Sequence, residues 1–191
     1  MVKTKSIKIL PILLLLLTLA TACHNHPVPK PYGHFRIDLP EPEYVRCDTI
    51  LPFSFDIQKK AVLKLNPNGT YWMDILYPEL NAAIYCSYTA VNNNVSELSE
   101  DARRLVMKHK LMADDISESY YSNPEQKVYG TFFNLSGNVA SVAQFTITDS
   151  TRHFLVGAVY FNDAPDKDSI APVSDYIKRD IIRLMESFKW K

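Results

Sequence analysis

Asp149, Ser150 and His153 are the residue types from which a catalytic acid, nucleophile and base are made, and they fall within five positions of one another. A working triad is defined by geometry: the base must reach the nucleophile, and a third group must orient the base. Four residues across a predicted hairpin turn are explained more simply by turn chemistry, in which Asp and Ser bond to nearby backbone. Asp74 alternates with Trp72 and Leu76 and is a candidate buried carboxylate, with no partner identifiable in the chain. His109 falls on the apolar stripe of a predicted helix, where it reads as a packed histidine at the edge of the core rather than as a base. His24 and His26 are metal-ligand types, but two histidines on a flexible leader make a weak ligand set. No G-x-S-x-G, Walker A, H-E-x-x-H or C-x-x-C pattern is present. The expectation is therefore a chain that is not an enzyme, with no catalytic residue, no metal and no cofactor.

The most explicit chemistry belongs to a cysteine. Lys3, Lys5 and Lys8 form a basic start, residues 9–20 form an apolar run, and Ala20, Thr21 and Ala22 lead directly into Cys23. This is the order of a secretory signal. The run is about a dozen residues, whereas a spanning helix needs roughly 20. A cysteine immediately behind the small residues resembles the lipobox of bacterial lipoproteins, although Leu is commoner where Ala20 stands. The thiol of such a cysteine takes a diacylglycerol, cleavage follows, and the new amino group is usually acylated. Each buried methylene adds about 0.8 kcal/mol, so several chains make a durable anchor where one does not. Residues 1–22 are thus expected to be a lipoprotein signal peptide, with Cys23 as the lipid attachment site and membrane lipid as the first partner. Two further cysteines, Cys47 and Cys86, are a candidate disulfide in an oxidising compartment. The alternative is a pair of buried free thiols, which cores tolerate. Their spacing matches no metal motif.

The chain carries 21 Lys+Arg and 21 Asp+Glu, and loss of the three leader lysines leaves 18 against 21, a formal charge of −3. There is no basic stripe and no aromatic-basic motif, so no nucleic-acid partner is expected. The length beyond the leader suits one domain with a real core.

The elements that must carry these residues follow from periodicity. In the segment 23–34, Pro27, Pro29 and Pro31 alternate, which favours an extended tether of roughly 3.1 Å per residue. Residues 35–191 read as a single globular domain. Residues 52–57 and 61–65 are short strand candidates, and the cluster 66–69 is a turn. Residues 71–77 alternate Tyr71, Met73, Ile75 and Tyr77 against Trp72, Asp74 and Leu76; Pro78 breaks this strand and 81–90 starts the next. A helix is predicted over 94–113, with Leu98, Ala102, Leu105, His109 and Met112 on one stripe and Asn94 with Glu97 as a capping box. Strands follow at 127–135, at 139–148 as a half-buried strand, and at 153–161, which is apolar on both faces and so central. Residues 116–122 add an edge strand. The last helix spans 169–190, capped by Asp168 or Ser169 with Pro172 in its first turn, and lays Val173, Ile177, Ile181, Leu184 and Phe188 on one face. The fold class is α+β, an antiparallel sheet covered by two main helices.

Long, idiosyncratic segments then carry a resemblance. They are PKPYGHFRIDLPEPEY (29–44), PFSF (52–55), YWMDILYPELNAAIYCSY (71–88), VYGTFFNLSGNVASVAQFTITDSTRHFLVGAVYFN (128–162) and DSIAPVSDYIKRDIIRLMESFKW (168–190). Together they resemble the gliding motility lipoprotein GldD family of the Bacteroidota. The resemblance implies an accessory component of the gliding machinery and the associated type IX secretion system, with other proteins of those systems as partners and a role in assembly or stability. It implies no catalytic residue, and only the lipid site at Cys23 carries over. The order of elements also looks similar to a PsbP-like αβα sandwich. His24 is not the aspartate linked to inner-membrane retention, and 24–31 lacks the acidic cluster that resembles a surface-export signal, so the periplasmic face of the outer membrane is the expected location. Asp48-Thr49-Ile50, Asp149-Ser150-Thr151 and Asp168-Ser169-Ile170 resemble the short O-glycosylation motif of exported proteins in that group. The alternative function is a periplasmic ligand-binding lipoprotein with Tyr71, Trp72 or Tyr85 around a pocket.

Overall fold

A computed structural model describes residues 39–65, 72–162 and 167–191. The expected signal peptide, Cys23, the tether with His24 and His26, the turn at 66–69 and Tyr71 lie outside the described residues, as do the side chains of Asp168 and Ser169. In chain order the strands and helices are β1 (Tyr44–Asp48), β2 (Phe53–Gln58), β3 (Val62–Leu65), β4 (Trp72–Tyr77), β5 (Ala82–Ala90), α1 (Val95–Met107), β6 (Ala113–Asn123), β7 (Val128–Gly137), β8 (Ala143–Thr148), β9 (His153–Phe161), α2 (Lys167–Ser187) and β10 (Lys189–Trp190).

The α+β class holds, with one correction: the strands form two antiparallel sheets, not one. The larger has seven strands in the order β3-β4-β5-β9-β8-β7-β6, and the smaller has three in the order β1-β2-β10. β9 is the middle strand of the larger sheet and β6 its edge, as their sequences indicate. Alternation sorts the larger sheet's side chains. Met73, Ile75, Ile84, Phe145, Ile147, Leu155 and Val159 enter one core with Phe53, Phe55 and Ile57 of β2 and with the stripe of α2. On the opposite face, Phe154 meets Ala102 of α1, and Phe133 and Leu135 meet Val106. A helix therefore stands on each face of the larger sheet.

Local departures from the expected elements have local causes. α1 ends at Met107 and tightens into a 3-10 turn, Lys108–Leu111. The helical period therefore does not run on through His109 and Met112. The buried face shifts to Val95, Leu98, Ala102 and Val106, while Leu105 and Met112 are exposed. The Asn94 capping box does not form: the side-chain oxygen of Asn94 accepts instead from the Asn92 N–H at 2.9 Å. β8 begins at Ala143 rather than 139 and is buried on both faces, because α1 covers what would have been its wet side. The stripe of α2 is as expected, with Val173, Ile177, Ile181, Leu184 and Phe188 all buried. Pro172 sits inside the helix rather than in a first turn begun by a cap at 168 or 169. The helix also stops at Ser187, because the chain turns to pair Lys189 with Ser54 and Trp190 with Phe53.

Gly157 shows how tightly the sheet centre is built. It lies opposite Phe145 on β8 and Cys86 on β5, and a Cβ at this position would come within 2.3 Å of the Phe145 ring. The glycine in the central strand thus makes room for an aromatic ring laid across it. Gly157→Ala is expected to destabilise the fold by about 2 kcal/mol, since overpacking a filled core costs about 1–3 kcal/mol. Urea denaturation of the purified protein measures this, and an unchanged midpoint would contradict the packing described.

Candidate functional site

The Asp149 turn joins β8 to β9. One carboxylate oxygen, Oδ1, accepts from the backbone N–H of Thr151 (3.0 Å), Arg152 (2.7 Å) and His153 (2.8 Å), while the Thr151 hydroxyl donates to Oδ2 at 3.0 Å. Thr148 completes the turn by donating to the His153 carbonyl and accepting from the Ser150 N–H. Asp149 is only 7% exposed. Burial alone would raise its pKa, but the bonds from Arg152, Thr151 and His153 outweigh burial and bring it down to about 2. Ser150 is exposed and takes the left-handed conformation at φ 67°, a turn position. The His153 ring is engaged elsewhere: its Nδ1 lies 2.6 Å from the Tyr88 hydroxyl and it stacks on Trp190 at 4.8 Å. Burial lowers its pKa. Among the described residues no hydrogen bond joins Ser150 to His153, and the acid holds backbone instead of the imidazole. The three candidate residues build a turn, not a triad.

The other sequence candidates are scattered. Asp74 is half-buried on the outer face of the larger sheet, in register with Lys64 and Tyr85, which corrects its reading as a buried carboxylate. His109 is half-buried at the end of α1. Cys47 on β1 is half-buried and Cys86 on β5 is buried, and both are free thiols rather than a pair. Burial, with the nearby Asp74 charge, pushes the Cys86 thiol well up, while burial and Asp48 raise Cys47. Thr49 accepts the Leu51 N–H through its hydroxyl oxygen, beside the fully outward Ile50. Trp72 and Tyr85 are exposed on the open sheet face, where Tyr85 meets Tyr160 at 5.8 Å. Neither lines the cavities beside α2.

The most concentrated polar site was not legible as a motif. Asp180 of α2 is buried and accepts from Tyr44 of β1 at 2.6 Å and from Gln58 of β2 at 3.2 Å; the Tyr77 hydroxyl also bonds to it. Gln58 also donates to the Tyr176 hydroxyl at 2.7 Å. Burial raises the Asp180 pKa against the lowering effect of the two tyrosine bonds. Burial and the carboxylate in turn hold the Tyr44 and Tyr77 phenols far above their ordinary value. A cavity of about 370 Å³ adjoins the cluster, rimmed by Glu43, Lys59 and Lys60. Chemically the cluster stores one buried carboxylate under phenol donors and joins α2 to three strands. Tyr176 and Asp180 sit four apart beside the apolar stripe, a spacing that puts both on one side of the helix but does not identify their partners on the strands. A second polar seam lies at the far end of α2. Arg46 donates to the Ser187 carbonyl at 2.6 Å, where the helix dipole favours a cation, and Asp56 pairs with both Arg46 and Arg183.

Among the described residues no helix is long and apolar enough to cross a membrane, and no group of three or more His, Cys, Asp and Glu could hold a metal ion. Fold and sites together define an α+β domain whose polar clusters fix turns and join layers. The gliding motility lipoprotein GldD family matches residues 24–190, and the chain belongs to that family. It is therefore a lipoprotein of the gliding motility type. No curated protein matches the chain.

The two buried acids predict opposite pH behaviour. Asp149 is depressed in the fold, so its stabilisation is present above about pH 4 and is lost as pH falls toward about 2. At pH 7, Asp149→Ala is expected to cost about 2 kcal/mol, and the gap from the native protein should close across that acid window. Asp180 is raised, so between the ordinary carboxylate value and its own the folded state binds the extra proton, and stability falls as pH rises. Asp180→Asn is expected to flatten that fall. Urea midpoints collected from pH 2 to 8 test both, and parallel curves for native protein and variants would refute them.

Proposed function

We propose that this chain is an accessory lipoprotein of the gliding motility and type IX secretion machinery, held at the periplasmic face of the outer membrane and acting through protein contacts in assembly or stability. Residues 1–22 are its signal peptide, Cys23 carries the lipid, 23–34 is the tether and 35–191 the working domain. The family match supplies the carrying observation: it begins at residue 24, directly behind the lipobox-like run Ala20-Thr21-Ala22-Cys23. The residues of catalytic type support the same reading, since Asp149, Ser150 and His153 are committed to a turn and a ring stack. So does the exposed apolar surface on the larger sheet, where Val62, Trp72, Tyr85 and Tyr160 stand in solvent. Partners of a tethered, non-enzymatic domain need such a surface.

Deletion of the chain is expected to abolish secretion of type IX cargo, and Ser150→Ala to restore it fully. Cys23→Ala is expected to move the protein from the membrane to the soluble fraction with an unchanged unfolding transition. Cargo in culture medium and fractionation of cell extracts read these outcomes. Normal secretion in a clean deletion would overturn the proposal, and native-level secretion by Cys23→Ala would remove the anchor from it.

A further inference from the structure

On the face that α2 shares with the main core, the helix does not reach across the β6–β7 hairpin at the edge of the larger sheet. A cavity of about 470 Å³ is left between α2 and β6–β7, with Tyr121, Phe132 and Asn134 along the strands and Lys178 and Ile182 along the helix. A second cavity, of about 320 Å³, continues from Asp175 and Lys178 toward Ser136 and Gly137. The two share Asp175 and Lys178, so they make one groove. Its apolar part is open to solvent: Ile182 is exposed and Phe132 half-buried.

Two polar groups in the groove are poorly served. The Lys178 side chain is only 18% exposed, yet its carboxylate partner, Asp175, is 75% exposed and 3.8 Å away. That is the outer limit of an ion pair, and a solvated partner screens the charge instead of neutralising it. Accordingly burial lowers the Lys178 pKa despite Asp175. Asn134 gives its amide N–H to Ser117 at 3.4 Å, but its Oδ1 is buried with no donor among the described residues. A buried amide satisfied at one end only is costly to the protein.

We infer that the groove is a binding site for an acidic peptide segment, with a carboxylate on Lys178, a neighbouring apolar side chain against Phe132 and Ile182, and peptide backbone beside Asn134 and Ser117. A carboxylate gives Lys178 the close, charge-assisted bond that Asp175 does not. The strand side of the groove selects peptide over a fatty carboxylate. An alkyl chain would cover Asn134, Ser117 and Ser119 and bond to none of them, whereas a peptide group offers both an N–H and a C=O. Whichever way the Asn134 amide is turned, a peptide answers its unpaired end. This inference rests on the protein-contact role proposed above and names the chemistry of one contact.

The test uses the full lipidated protein in detergent, titrated by calorimetry with three probes. They are acetyl-Ser-Leu-Phe as the free acid, acetyl-Ser-Glu-Leu-Phe-amide, and decanoate. Binding by either peptide supports the site, and which of them binds tells a chain-end carboxylate from a side-chain one. Lys178→Met keeps the helix and the alkyl stem and is expected to weaken peptide binding about tenfold, with an unchanged melting curve. Asp175→Asn, which removes the competing acid, is expected to tighten it. Equal peptide affinity in native protein and Lys178→Met, decanoate binding without peptide binding, or no binding by any probe overturns the inference. None of those results bears on the assembly role, which stands or falls on secretion in the deletion strain.

Discussion

Everything in this fold hangs on one apolar stripe. Val173, Ile177, Ile181 and Leu184 of α2, with Phe188 directly after it, are buried where the three-stranded sheet and the seven-stranded sheet meet. Each such side chain contributes about 1.5–3 kcal/mol when fully removed from water. The stripe shares that core with Phe53, Phe55 and Ile57 of β2, and Phe53 meets Tyr88 of the larger sheet directly at 5.9 Å, so helix and strand together bring the two sheets into one core. The chain then uses its last residues to close the arrangement. Phe188 stacks on Phe53 at 5.0 Å, Trp190 pairs with Phe53 as a strand, and its ring covers His153 of the larger sheet.

Apolar burial alone would leave α2 free to slide along β2. The polar seam fixes its register. Gln58 meets Tyr176 and Asp180 near one end, and Asp56 meets Arg183 and Ser187 at the other. A buried acid such as Asp180 is a poor source of net stability, because its desolvation offsets most of what its bonds return. Its value is positional: only one setting of helix against strand lets Tyr44, Tyr77 and Gln58 all reach it. The same logic explains Asp149, whose carboxylate converges three N–H groups into one turn shape and so fixes where β9 starts against β8.

What the sequence made visible is what local periodicity controls. The alternation of Met73, Ile75 and Tyr77 and the four-residue stripe of α2 each depend on a single element, and both appear as read. Of the α1 stripe, Leu98 and Ala102 face the sheet as read and Val106 takes the place of Leu105, while His109 and Met112 fall beyond Met107, where the helix tightens into a 3-10 turn and changes period. β10 is two residues long and its pairing is set wholly by β2, so Trp190 reads as the end of a helix. The Asp180 cluster was invisible for a sharper reason: its bonds link residues 136, 118 and 122 positions apart, and no spacing rule spans such distances. In the opposite direction, Asp149, Ser150 and His153 drew attention by being close in sequence, and their closeness turned out to be the geometry of a turn.

The width of the larger sheet accounts for where this protein can meet others. Seven strands at about 4.8 Å spacing span roughly 29 Å, while one helix with its side chains covers about 10 Å. A single helix on each face therefore cannot cover the sheet. On the α2 face, the three-stranded sheet shares the covering, and the strip left over is the groove along β6 and β7 that passes Lys178. On the α1 face, the cover lies over β8 and β9, and the strip left over carries Trp72, Tyr85 and Tyr160. The two strips differ in chemistry. One is a walled groove with an under-neutralised cation and an unpaired amide, which selects a ligand by charge and hydrogen bonding. The other is a flat aromatic face, which accepts surfaces with little discrimination beyond shape. These two uncovered strips lie on opposite faces of the larger sheet, so the assembly role proposed above would have two chemically distinct surfaces to work with.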